Sequence, residues 1–411
     1  MRAGWVLAVA LFVGSEPASG ESYDLLRGDD YELDASTRRG LRLELDDPEI
    51  ELRVGGKFAW DAAWFDADGT PIRDDTEVRR ARVYLAGDLL DDWSFKIERE
   101  FAADRDGWRN LWLGYQPTQN LALRAGNFVA PFGLEEVSSS NYATFLERAL
   151  PSAFAPSYQT GLGIRTRGRL GRDREENRWT WATAGYFESL GDPEEDPHQS
   201  EHWGVASRVT FAPLAEKRRL VHLGLAVDYQ SMEDSSRYGI SARPESALAP
   251  TLLNTGSLQD VDEVISVGTE AATVLGSFSA QGEYMRSMLR RSGRDGDGNA
   301  RRNATFDGWY VQASYVLTGE RRRYSRSTGT FQGVKPKRKW GAVEVAVRYS
   351  TLDLNDTSVS GGDAEDWTVG LNWYIRENVR LMFNYIRVDA SNSDLERDDP
   401  QIFGFRTLVF F

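Results

Sequence analysis

The chain has 411 residues, 41% apolar and 27% charged, with 13 Trp, 16 Tyr, 19 Phe and no Cys. That aromatic content excludes intrinsic disorder, and the lack of Cys excludes disulfide frameworks, thiolate metal sites and Cys nucleophiles. A net charge of −14 excludes unaided attraction to nucleic acid, and a mean hydropathy of −0.50 excludes a helical membrane protein but not a membrane barrel, whose strands are apolar on one face only.

Residues 1–20 read as an export signal, with Arg2 as the positive end, Val6 to Val13 as the apolar stretch and Ala18-Ser19-Gly20 as the cleavage site. The apolar stretch is too short for a hydrocarbon core of ~30 Å. Residues 21–47 are then an N-terminal periplasmic or lumenal segment, and 48–411 form one barrel without an internal domain boundary.

From Ile50 the pattern has period two. In Ile50-Glu51-Leu52-Arg53-Val54-Gly55-Gly56-Lys57-Phe58-Ala59-Trp60 one face is oily and the other wet, as in a strand between lipid and water. Sixteen such runs follow one another: 50–65, 77–87, 93–101, 108–116, 121–129, 160–170, 178–187, 203–212, 220–230, 263–273, 276–290, 305–318, 340–352, 366–375, 378–389 and 401–411. Connections after odd-numbered strands are mostly long and polar, including 130–159, 188–202, 231–262, 291–304, 353–365 and 390–400. Those after even-numbered strands are short, apart from 319–339. An even strand count with long loops at one end and tight turns at the other predicts an all-β fold: a 16-stranded antiparallel transmembrane β-barrel with long extracellular loops. A soluble sandwich or propeller would not make loop length alternate. The last strand carries Phe403, Phe405, Thr407, Val409 and Phe411 on one face and stops on an aromatic residue, which resembles the signal that outer-membrane barrels present to their assembly machinery.

Several segments together resemble the phosphate-selective porin O and P family. They are Gly40-Leu41-Arg42-Leu43-Glu44, Leu52-Arg53-Val54-Gly55-Gly56-Lys57, Arg79-Arg80-Ala81-Arg82, Gly126-Asn127-Phe128-Val129-Ala130-Pro131-Phe132-Gly133-Leu134-Glu135, Glu147-Arg148, Leu317-Thr318-Gly319-Glu320, and Gly341-Ala342-Val343-Glu344 leading to Arg348-Tyr349-Ser350. The resemblance runs from about residue 40 to 411. It implies a sixteen-stranded homotrimeric porin of the bacterial outer membrane, with a basic channel for phosphate-like anions. The chain departs from the pattern before Pro131, where members often carry a Lys and this sequence has Val129 and Ala130.

Parity assigns a lumen face, because the apolar face must meet lipid. The inward cations are then Arg53, Lys57, Arg80, Arg82, Lys96, Arg124, Arg165, Arg167, Arg169, Arg208, Arg348, Arg380 and Arg406. The inward acids are Glu51, Asp61, Glu98, Glu100, Asp228, Glu283 and Glu344. Thirteen cations against seven acids make a basic wall in an acidic protein, and a low-dielectric wall of one sign concentrates counter-ions. With 43 Arg and 6 Lys, the wall favours planar forks that grip oxyanions in pairs. The stretch 130–159 is longer than a hairpin needs and is the third extracellular loop, expected to fold inward. Pro131, Phe132, Tyr142, Phe145 and Phe154 would pack it to the wall, leaving the constriction residues Glu135, Glu136, Tyr142, Glu147 and Arg148 near the path.

Other constellations read as structural. His198 and His202 lie four apart in an acidic loop without helix signals, and a Ser–His–acid triad would have no inner-strand His other than His222 to work with. Asp295-Gly296-Asp297-Gly298-Asn299 lacks the Gly and Glu that complete a calcium loop. Gly161 and Gly163 read as barrel bends or close-packing points. The basic run from Arg321 to Lys339 reads as a solvated charge run at the periplasmic mouth. Arg79, Arg99, Arg286 and Arg387 fall on the lipid-facing parity, which places them at the extracellular rim against lipopolysaccharide phosphates. The expected function is passive diffusion of small anions, phosphate or polyphosphate foremost, through an Arg-lined channel. No cofactor, nucleotide site, nucleic-acid partner or enzymatic centre is expected. The alternatives are a general non-selective porin and an adhesive barrel with binding loops.

Overall fold

The computed structural model describes residues 23–27, 31–36, 40–45, 48–66, 72–102, 106–168, 177–187, 190, 202–232, 237–294, 298–391 and 399–411. Sixteen strands form the barrel: β1 Ile50–Asp66, β2 Asp75–Leu89, β3 Trp93–Glu100, β4 Gly107–Thr118, β5 Leu121–Val129, β6 Tyr158–Gly168, β7 Trp179–Phe187, β8 His202–Glu216, β9 Arg219–Met232, β10 Val261–Leu275, β11 Phe278–Arg291, β12 Ala304–Val316, β13 Ala342–Asp356, β14 Val359–Tyr374, β15 Val379–Ser391 and β16 Gln401–Phe410. Each pairs antiparallel with the next, and β16 closes on β1 from Gln401 opposite Asp66 to Phe410 opposite Lys57. All sixteen runs of the sequence pattern fall on these strands. The export signal at 1–20 lies outside the described residues.

The barrel is turned inside out relative to a protein in water. On β9, Leu223, Leu225 and Val227 face outward and are exposed, while His222 and Asp228 face inward and are buried. Among the largest fully buried side chains is Arg348. Apolar side chains left exposed in a continuous band, around a polar interior, require an apolar solvent outside.

Before the barrel, three short strands, Tyr23–Arg27, Tyr31–Ser36 and Gly40–Leu45, run antiparallel to one another. The third pairs with the foot of β1, Leu41 opposite Val54 through Leu45 opposite Ile50. It continues the line of β16, whose terminal Phe411 exchanges two 3.0 Å backbone hydrogen bonds with Gly56. Gly40 makes the entry possible: its φ is +73°, and a Cβ there would fall 2.0 Å from the Val54 carbonyl oxygen.

Two expectations about connections need correction. The segment 353–365 is not a long loop, because β13 and β14 run on to a tight turn at Thr357 and Ser358. Outside the lipid the outward residues are polar, which hides the period, but Leu354 and Val359 still pack inward with Leu252, Leu253 and Leu258 of the 237–260 connection. The run from Arg321 to Lys339 is only half solvated. Residues 322–325 and 330–334 form a hairpin that turns back into the lumen, burying Arg322, Phe331 and Val334. Phe331 sits with Leu134, Ala212, Leu220 and Val274, and the buried apolar surface holds the hairpin there. Lys335, Lys337, Arg338 and Lys339 remain exposed.

Candidate functional site: the lumen and its constriction

The 130–157 connection leaves β5, crosses the lumen and leans on the far wall. A single helical turn at Leu134–Val137 starts it, and the carboxylate of Glu283 on β11 accepts hydrogen bonds from the backbone N–H of Leu134 (2.7 Å) and Glu135 (2.8 Å). Further on, Leu150 N–H donates to Ser350 Oγ on β13 (3.0 Å). Phe132, Phe145 and Phe154 are buried. Together with the 237–260 connection, Phe132 and Phe154 fill this side with an apolar core that includes Leu150, Leu252, Leu352, Ile386 and Ile402.

Four inward arginines fasten the segments that fill the lumen. Arg348 donates to Glu245 (2.8 Å), Glu135 (3.3 Å) and the Glu147 carbonyl (3.0 Å). Arg406 donates twice to Asp61 across the barrel closure (2.6 Å each) and to Glu147 (2.7 Å). Arg208 grips Glu270 (3.1 and 2.6 Å) and the Gly329 carbonyl of the inserted hairpin (2.8 Å). Arg380 donates to Asn372 (3.1 Å) and to the Thr144 carbonyl (3.3 Å). All four are buried and none borders the main cavity. Their place on the inward face is as parity gives it, but loops cover them.

The main cavity, about 810 Å³, lies on the other side, between the β1–β4 wall and the crossing loop. The wall contributes Lys57, Arg79, Arg80, Arg82, Lys96, Glu98, Arg109 and Asn110. The 130–157 loop contributes Glu136, Ser138 to Tyr142, Glu147 and Arg148, and the 237–260 connection Arg243 and Glu245. Eight cations meet four carboxylates there. Lys57 lies directly opposite Arg82, a costly pairing of like charges that acids offset: Arg82 donates to Glu100 (2.6 Å) and Glu98 (3.3 Å), and Lys96 also pairs with Glu98. Arg79 donates twice to Glu147 (2.8 Å each), and Arg148 pairs with Glu136 (2.8 Å). Burial works against the charge on Glu147, yet Arg79, Arg406 and Arg80 hold its carboxyl well below the usual range.

Three donors on this cavity stand apart. Arg80 Nε, Ser138 Oγ and Ser152 Oγ are buried with no hydrogen-bond partner among the described residues. Beside them the Lys57 ammonium donates to the Ser140 hydroxyl (2.8 Å) rather than to a carboxylate.

Of the residues assigned to the pore by parity, Lys57, Arg80, Arg82 and Lys96 border this cavity. Arg53 sits at the foot of β1, paired with Asp88 (2.9 Å) and Glu51 (3.1 Å). Arg124, Arg165 and Arg167 lie on β5 and β6 away from the cavity, and Arg169 lies outside the described residues. Of the loop residues, Glu136, Tyr142, Glu147 and Arg148 border the cavity. Glu135 does not; it turns to the Ala149 N–H (2.9 Å) and Arg348.

Arg79 is the main correction. The register of β1 and β2 slips between Ala59 and Trp60, and this β-bulge swings Arg79 inward, away from the expected rim. The adjacent Arg79-Arg80 pair was the available signal, since strict alternation would strand one of them in lipid. Arg109, Tyr158 and Ser138 to Ser140 gave no periodic signal. Arg286 and Arg387 are exposed and Arg99 is half-buried, Arg99 with Asp106 (3.0 Å).

A model of the phosphate-selective porin O and P family matches residues 52–411. The chain is 27% identical over 448 aligned positions to porin O of Pseudomonas aeruginosa, covering 97% of this chain and 96% of that protein. In fold it is similar to the outer membrane channel DcaP of Acinetobacter baumannii, with a TM-score of 0.55 at 12% identity over 88% of this chain and 97% of that one. It is also similar to OmpT of Vibrio cholerae in its trimer form, at 0.54 and 12% over 88% and 99%.

Proposed function

The chain belongs to the phosphate-selective porin O and P family, and from that premise we propose that this outer-membrane porin passes small anions, phosphate-like ones foremost, by passive diffusion. The path runs between the β1–β4 wall and the 130–157 loop. The observation that carries this reading is a set of unengaged donors, Arg80 Nε, Ser138 Oγ and Ser152 Oγ, in a cavity that Lys57 also borders and that has twice as many cations as carboxylates. An oxyanion supplies the acceptors they lack, and the planar Arg fork suits it. The surrounding acids keep the well shallow enough for release, which throughput requires. Family and barrel fold together indicate a channel rather than an enzyme.

Reversal potentials in planar bilayers under a salt gradient test the reading, with inorganic phosphate then titrated as a blocker of chloride current. The wild type should prefer anions. Arg80→Ser should raise the half-blocking phosphate concentration about tenfold, the loss of one charge-assisted hydrogen bond. No anion preference in the wild type would make it a general porin. The assembly we expect is a homotrimer, as in the trimer form of the Vibrio cholerae protein, and cross-linking in native outer membranes checks it.

A further inference from the structure

Three inward arginines outside the cavity carry a second assignment. Arg124 on β5 and Arg165 and Arg167 on β6 sit close to the periplasmic turn at 119–120, where Arg167 N–H donates to the Asn120 carbonyl (3.1 Å). Gly163 lies opposite Arg124 and Ala122 opposite Arg165. Arg165 is thus a diagonal neighbour of Arg124, about 7–8 Å away, and Arg167 is one strand repeat further, about 7 Å. All three point into the lumen by parity and are half-buried.

They differ from the other lumen arginines in their company. Arg79, Arg82, Arg208, Arg348 and Arg406 each hold a carboxylate. Among the described residues, the side chains of Arg124, Arg165 and Arg167 make neither an ion pair nor a hydrogen bond. Arg124 is instead stacked: its guanidinium lies 4.0 Å from the Trp112 ring centre and 5.6 Å from that of Phe128. Phe128 can lie there because residue 163 is Gly; a Cβ would come within 2.9 Å of its ring. Stacking engages the face of the guanidinium and leaves its N–H edge free to donate. Three guanidiniums this close repel one another, and each burdens the next unless an anion sits among them.

The geometry points to a second anion-binding station at the periplasmic end of the lumen, built from Arg124, Arg165 and Arg167, that takes multivalent inorganic oxyanions separately from the constriction. It rests on the anion reading above. Its purpose follows from its place: an anion released at the constriction meets a second basin before the exit, so that neither site must be deep. A solution ion entering from the periplasm meets this station first.

Sided block tests it, with inorganic phosphate added to each chamber in turn and the variants' folding checked by heat-modifiable gel mobility. Replacing both Arg165→Ser and Arg167→Ser should raise the half-blocking phosphate concentration about tenfold from the periplasmic chamber and less than about twofold from the other. Arg80→Ser should raise it from both. Should the Ser pair fail to fold, Arg165→Gln with Arg167→Gln carries the same test. An anion-preferring wild type whose periplasmic block is unchanged in the double variant, or shifted equally from both sides, overturns the second station alone. A wild type without anion preference overturns the anion reading itself.

Discussion

The two sides of the lumen use the same residue for opposite ends. On the β11–β16 side, Arg348, Arg380 and Arg406 are buried under the crossing loops and bonded to carboxylates or carbonyls. On the β1–β4 side, Arg80 and Lys57 border open space without a carboxylate of their own. Both sets lie on inward parity. What separates them is the cover: loops lie over the first set and bond to it, whereas the second borders the cavity, where a ligand can reach it. Inward direction alone therefore does not make a pore lining.

Removing an anchor should show the largest effect. Arg348→Ala leaves Glu245 and Glu135 buried without their cation and should lose about 3–5 kcal/mol of stability, read by urea unfolding in micelles, while the reversal potential stays at the wild-type value. A selectivity change larger than the stability change would erase the distinction between the two sides.

Next comes Glu147, which bridges both sides through Arg79 and Arg406. Glu147→Gln should lose about 1–3 kcal/mol and move the reversal potential further toward anions, because Arg79 loses its hydrogen-bonded carboxylate and Arg406 keeps only Asp61. A shift toward cations would break the assignment.

Acidity sharpens the contrast with a smaller effect. The depressed carboxyl of Glu147 stabilises the 130–157 loop above the unfolded value of about 4.3. That contribution is lost only as pH falls through the lower folded value. Glu245 is the reverse: burial pushes its carboxyl up, against the pull of Arg348. Its contribution is full below the unfolded value and lost as pH rises through the raised one. Between pH 7 and 4, hydrogen-exchange protection around 240–250 should rise while that around 145–150 holds. Falling protection at 240–250 would contradict the sign.

The smallest effect belongs to the rim. Replacing Arg99, Arg286 and Arg387 together with Ser should lower thermal stability slightly in lipopolysaccharide-containing membranes and not in phospholipid alone. Equal loss in both would mean that pairs such as Arg99 with Asp106 matter more than lipid phosphates.

How much of this was legible follows from what repeats. Strand number and inward parity could be read because lipid forces an apolar residue at every second position. The bulge at Arg79 could not be placed, because a single inserted residue leaves the pattern on either side intact. The hairpin at 322–334 was masked by its charges: Arg322, Arg323 and Arg326 suggest water, while its burial rests on Tyr324, Phe331 and Val334, too few to show a period. The filled half of the lumen was invisible for another reason. Glu135 and Glu245 meet Arg348 across 213 and 103 positions of sequence, and no local pattern encodes such a meeting.

The bond from Arg406 to Asp61 joins the last strand to the first, across 345 residues. Bringing those ends together closes a loop of almost the whole barrel, which is costly in chain entropy. Glu147 bonds to the same guanidinium and, through Arg79, to the second strand. The crossing loop is thus fastened on both sides of the seam, and by reciprocity it favours closure by as much as closure favours it. The element that narrows the pore also serves as the clasp of the cylinder.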